Sequence, residues 1–167
     1  MIIFKDYPLF KPNITPLELF KSGIFGGTYF REIKSPITGK IYKNNYKKFN
    51  FLKNLNEKLY KSNFYDLTLN KYKVKSGMSY EYWCDKGWIN EKYDPYGWIE
   101  WYCNFYYGRR TEDDERQINR WMNIAGENGR FRKQLINKII YDKKNDLTKY
   151  LKLRQLLLQW ALDSSKF

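Results

Sequence analysis

The sequence predicts a mainly α protein: a single compact helical domain with a helix-turn-helix-like C-terminal half and a possible small β-hairpin near the N-terminus. Three observations lead there. A chain of 167 residues is long enough to enclose one hydrophobic core without disulfides or a metal. Apolar residues recur at helical spacing through most of the second half. Strand and turn signals, by contrast, gather in one short N-terminal stretch. Aromatic residues make up 20% of the chain, so Trp, Tyr and Phe are expected to build the core, where large rings compensate for a polar composition.

The elements follow in order. Residues 1–13 read as extended. Thr15, Pro16 and Glu18 form a capping box with proline at the first helical position, and Gly23 suits the stop of that short helix. Gly26 and Gly27 mark a chain reversal; they lack the further glycine and the Lys-Ser/Thr of a phosphate loop. Turn signals at Ser35-Pro36 and Thr38-Gly39 predict a hairpin between residues 29–34 and 40–44. Phe49, Leu52, Leu55, Leu59 and Tyr60 fit one stripe of a lysine-bearing helix over 45–62, and 63–78 reads as irregular.

Ser79 caps a short helix that includes Trp83 and stops near Gly87. Asp94-Pro95 reads as the start of the central helix, which places Trp98, Trp101, Tyr102 and Phe105 on one face and closes at Gly108. Thr111 opens the next helix, with acidic residues at the positive end of its dipole and a Glu112–Arg116 ion pair expected. A turn with Gly126 and Gly129 leads to a helix over 130–141, with Ile139 and Ile140 expected on its apolar side. Asp146 is expected to cap a last, largely buried helix over 147–162. The domain thus divides into a lysine-rich part, 1–78, and an aromatic, arginine-rich helical part, 79–167.

Charge and chemistry narrow the function. The formal net charge is +13, and residues 1–75 hold 15 basic against 5 acidic side chains. Such an excess attracts polyanions, nucleic acid first and an anionic membrane surface second. There is no histidine, which excludes Ser/His/Asp and Cys/His nucleophile systems; two cysteines 19 apart do not make a four-ligand zinc site. No cofactor is implied. The first ten residues do not read as a signal peptide and no stretch is long and apolar enough to span a membrane, so an intracellular chain with reduced thiols is expected.

Arginine is where the sequence is most specific. Lysine fills 23 of the 31 basic positions, yet six of the eight arginines lie between Arg109 and Arg132. In a chain biased towards Lys, Asn, Ile and Tyr, that cluster marks positions that need the planar fork, which pairs bidentately with phosphate, carboxylate or a guanine edge. Arg109 and Arg110 follow the central helix, where capping of its negative end competes with binding. Arg116 and Arg120 stand four apart opposite the buried stripe of the next helix. On the 130–141 helix, Arg130, Lys133, Gln134, Asn137 and Lys138 collect on one side, with Tyr141. These are the side-chain types that read a major groove, and two helices joined by a glycine-bearing turn fit a helix-turn-helix arrangement.

The stretch from Asp94-Pro95-Tyr96-Gly97-Trp98 through Trp101-Tyr102-Cys103 to Gly108-Arg109-Arg110, then Arg116-Gln117-Ile118-Asn119-Arg120-Trp121, resembles a family of hypothetical proteins reading DPxGWFxWYCRxYxGRR and RQIxRW. Arg154 to Ala161 resembles that family's tail. The resemblance covers roughly residues 87–163, and before that only 23–30. It departs at Asn104, where the pattern has arginine, and it implies kinship without an activity.

These readings converge on a basic protein that binds nucleic acid, double-stranded DNA ahead of RNA. The lysine-rich half would contact backbone, and Arg109, Arg110, Arg116, Arg120 and the 130–141 helix would supply further contacts. Two alternatives stand beside it: a histidine-free enzyme using Glu100 or Asp94 as a base beside Arg109 and Arg110, and a module that binds an acidic protein.

Overall fold

The computed structural model describes residues 2–167. Six α-helices and one two-stranded hairpin are joined by single 3-10 turns: α1 (Pro16–Lys21), β1 (Ile33–Lys34), β2 (Ile41–Tyr42), α2 (Tyr80–Asp85), α3 (Trp98–Tyr106), α4 (Asp114–Ile124), α5 (Arg130–Asp142) and α6 (Leu151–Leu158). The capping box of α1 forms in full: Thr15 Oγ1 accepts from Glu18 N at 3.2 Å and Glu18 Oε2 accepts from Thr15 N at 2.8 Å. The hairpin is antiparallel, Ile33 opposite Tyr42 and Lys34 opposite Ile41. The Glu91 carboxylate braces it by accepting from the hydroxyls of Ser35, Thr38 and Tyr42.

The core is aromatic, as the composition implies. Phe10, on the extended N-terminal segment, is fully buried and stands edge-on to Trp121 at 5.0 Å and tilted to Trp101 at 5.6 Å. Edge-to-face rings satisfy their quadrupoles as well as burying area. The indole nitrogens are also satisfied: Trp101 donates to Asp114 at 2.9 Å and Trp121 to the Trp160 carbonyl at 2.7 Å. α3 is therefore the central helix, with Trp98, Trp101, Tyr102 and Phe105 all buried.

Four expectations need correction. The stretch 45–62 is not one helix but three 3-10 turns, 45–48, 50–52 and 57–59, because Phe49 is extended (φ −100°, ψ 101°). Asparagines at 44, 45, 50, 54 and 56 favour such turns over a continuous helix, and Asn56 caps the last of them. Asp94-Pro95 does not start α3, which begins after Gly97; the positive φ of 96° there separates the 94–97 turn from the helix. The last helix covers only Leu151–Leu158, with Tyr150 in the left-handed region at its start, and Asp146 caps a turn through Thr148 instead. Ile140 lies outside the apolar face of α5, 68% exposed.

Residues 155–164 stitch the two ends of the chain together. Gln155 donates to the Gly23 carbonyl and accepts from Tyr72 N. Asp163 accepts from Lys71 Nζ at 2.7 Å and donates its backbone N–H to Asn13. The buried Arg154 binds Ser164 Oγ, Asn145 Oδ1 and the carbonyls of Asp146 and Lys149. Gly23 also lies against the 69–70 segment: its φ is +75°, and a Cβ there would lie 1.6 Å from the Leu69 carbonyl oxygen. Gly23→Ala is expected to destabilise the fold by at least about 2 kcal/mol, read as a fall in the urea midpoint with an unchanged slope.

Candidate functional site: a basic helix face and an aromatic recess

The arginines of the cluster do not converge on one site; Arg116 and Arg120 alone share an acceptor among the described residues, the Trp88 carbonyl. The Arg109 guanidinium grips the Asp94 carboxylate with two hydrogen bonds, 2.8 Å to Oδ1 and 2.5 Å to Oδ2, and Asn104 Nδ2 adds a third at 2.9 Å. Arg110 turns the other way, stacks on the Phe105 ring at 3.6 Å and pairs with Asp6 at 2.7 Å while donating to the Phe105 carbonyl. Both thus tie down the end of α3. Arg116 pairs with Asp113, Nε to Oδ1 at 2.6 Å, and donates to the Trp88 carbonyl. The expected Glu112 partner is engaged by Tyr93 and Lys92 instead. These three guanidiniums are committed to internal carboxylates.

Arg120 differs. Nη1 donates to the Trp88 carbonyl at 3.2 Å and to Gln117 Oε1 at 2.9 Å, and the guanidinium sits 5.3 Å from the ring centres of both Trp88 and Trp160. Among the described residues no carboxylate lies within 4.0 Å of it. Burial, with Arg116 nearby, pulls its pKa down to about 10, so it stays charged at neutral pH. It borders a recess of about 200 Å³ walled by Trp83, Trp88, Trp98 and Trp160 with Phe131 and Met78. The sequence carried no sign of this recess, because its walls come from separate segments between Phe25 and Trp160 with no common spacing.

The α5 face predicted from periodicity does form. Arg130, Lys133, Gln134, Asn137 and Tyr141 are exposed, and among the described residues the first four make no side-chain hydrogen bond or ion pair. Arg130 lies over Phe131 at 4.7 Å, and Lys138, half-buried, over Tyr150 at 4.9 Å. α4 and α5 pack together across the turn at 125–129, whose end Gly129 starts α5. This is the helical hairpin expected from the sequence.

No family model, curated protein or solved structure matches the chain. Geometry alone therefore explains the motif. In the DPxGW…GRR stretch, the buried Asp94 pairs with the half-buried Arg109, and Asn104, at the position where the resembled family has arginine, still donates to that same carboxylate. In the RQIxRW stretch, Gln117, Ile118 and Trp121 are buried and Arg116 holds the Trp88 carbonyl. Most of the motif builds the fold; Arg120 is the exception.

Glu100, the alternative general base, is sealed within the protein, and Lys48 at 3.5 Å and Asn45 at 3.0 Å both contact Oε2. Its Oε1 has no partner. Burial raises its pKa to about 7, opposed by Lys48 and reinforced by Asp94. Arg109 lines a separate recess with Lys48, Asn50 and Asn104, which Glu100 does not reach, so Glu100, Arg109 and Arg110 share no concavity. Both cysteines are buried, and desolvation pushes the Cys103 thiol well above its ordinary value. Among the described residues no three acidic or cysteine side chains gather to hold a metal, and no helix is long and apolar enough to cross a membrane.

Because the Glu100 carboxyl titrates higher in the fold than its ordinary 4.5, its contribution to stability is complete below that value and is lost as pH rises through about 7. Glu100→Gln should remove this dependence. The wild-type protein is expected to lose about 3 kcal/mol relative to the variant between pH 4.5 and pH 8, measured by denaturant titration across that range. Asp94→Ala, which removes the sealed carboxylate and leaves the half-buried Arg109 without its ion-pair partner, is expected to cost about 2–3 kcal/mol by the same measurement at pH 7.

Proposed function

We propose that the protein binds nucleic acid, double-stranded DNA in the first place, with the outer face of α5 against a groove and exposed lysines on the phosphates. The observation that carries this is the row of Arg130, Lys133, Gln134 and Asn137, solvent-facing and, among the described residues, free of hydrogen bonds and ion pairs, while Arg109, Arg110 and Arg116 are all paired. Apart from the contact of Arg130 with the Phe131 ring, these side chains make no hydrogen bond or ion pair among the described residues, so their donors and acceptors are open to an external partner. Arg and Lys match guanine, Asn and Gln match adenine, and the row extends about 10 Å along the helix.

The lysine distribution supports the same reading. Up to position 75 only Lys48, Lys61 and Lys71 have a carboxylate within 4.0 Å among the described residues. Apart from Lys73, which donates to the Thr68 carbonyl, the remaining lysines of that half are available to a polyanion, and phosphate contacts dominate affinity for DNA through counterion release.

A salt titration of binding to a labelled duplex tests the reading. With six phosphates neutralised, affinity is expected to fall about a thousandfold between 50 and 200 mM salt. A variant carrying Arg130→Ala, Lys133→Ala and Asn137→Ala should bind about tenfold to a hundredfold more weakly at low salt. Binding that ignores salt, or a variant that binds like the wild type, removes α5 from the interface.

A further inference from the structure

The recess beside Arg120 has a chemistry of its own. Its wall is almost wholly apolar, and four of the six tryptophans of the chain contribute to it. An apolar cavity of about 150 Å³ is large enough to hold a benzene ring. At about 200 Å³ this one suits a single flat ring system rather than a chain of them.

Arg120 supplies what an apolar cavity lacks. Nη1 carries both of its internal hydrogen bonds, whereas Nε and Nη2 donate to nothing among the described residues and are not sealed from solvent. Those two nitrogens form the side-on fork of a guanidinium, two parallel N–H donors matched to a pair of neighbouring acceptors. A charged fork held between two indoles and lacking a carboxylate leaves a positive charge uncompensated in a poorly solvated place. A ligand that brings a ring and a pair of acceptors would satisfy both the cavity and the fork.

The recess also adjoins the basic face. Phe131, the second residue of α5, lines it, and Arg130 stacks on Phe131 from outside. Gly77 and Met78 form another part of its border, shortly after the exposed Lys75. A duplex lying on this face would offer the recess a base only where one is turned out of the stack.

We infer that the recess binds one unpaired nucleobase, guanine in preference to the others, stacked among Trp83, Trp88, Trp98 and Trp160 with its O6/N7 edge on the Arg120 fork. Guanine is the base that presents two adjacent acceptors on that edge, and stacking on indoles supplies the remaining affinity. The inference rests on the nucleic-acid reading for the source of the base, and on the recess alone for its recognition.

Titration of the full chain with guanosine, adenosine, cytidine and uridine monophosphates, followed by tryptophan fluorescence, tests it separately from any duplex binding. Saturable quenching by the guanosine nucleotide, at least about fivefold tighter than by the adenosine nucleotide, is expected. Guanosine without phosphate should quench as well; quenching that requires the phosphate would overturn the edge assignment. Arg120→Lys keeps the charge and loses the fork, and should abolish the preference for guanine. Met78→Trp narrows the entrance from an exposed position and should weaken quenching without lowering the melting temperature. No saturable quenching by any nucleotide, or quenching unchanged in both variants, would overturn the inference even if the duplex titration succeeded. Conversely, guanosine binding with no affinity for duplex would retain the recess and remove the α5 face.

Discussion

Asp94 is the constraint on which the centre of the molecule depends. A carboxylate with no solvent contact is costly to bury, and it persists because three N–H donors from Arg109 and Asn104 converge on it. Those donors come from the far end of α3 and from just beyond it, whereas Asp94 precedes the helix. The pair therefore fixes both the entry and the exit of α3, and with them the rotation that points its tryptophans inward. Arg110 completes the exit by stacking on Phe105 and reaching Asp6 on the N-terminal segment that carries Phe10. One electrostatic clamp thus aligns the helix that the aromatic core surrounds.

That arrangement also sorts the cations by role. Arg109, Arg110 and Arg116 each face a carboxylate, and Arg154 is wrapped by carbonyl and hydroxyl oxygens. Their planar forks are used where a lysine would leave acceptors unfilled. Arg120 and the α5 row are what remains after the fold has taken its share. The density of arginine in this stretch thus has two sources, and only the smaller one faces outward.

Much of the scaffold was legible because it is local. Thr15 to Glu18, Ser79, Gly108 and the turn at 126–129 carry their instructions within a few residues, and the corresponding boundaries form as expected. The amphipathic division of α5 was equally readable, apart from Ile140. The segment 45–62 misled because apolar spacing agreed with a helix while its asparagines favoured turns, and a tertiary contact from Asn45 to Glu100 helped decide between them. Asp94 misled for a related reason. An Asp-Pro pair is a common helix start, and nothing nearby reveals that the carboxylate will be claimed by an arginine fifteen positions later. The recess was illegible because its walls meet only after folding.

The stitching of residues 155–164 to Asn13, Gly23, Lys71 and Tyr72 has a consequence for the order of assembly. Those contacts span separations of up to 150 residues in sequence, so the entropy of closing the largest loops must be overcome before the interactions return anything. During synthesis from the N-terminus, the first half of the chain holds its hairpin and α1 but none of these partners. Its Asn13 side chain stays hydrated and its Gly23 carbonyl has only the Lys71 N–H until α6 and the turn after it emerge, so the lysine-rich half cannot complete its contacts before residues 155–164 are made.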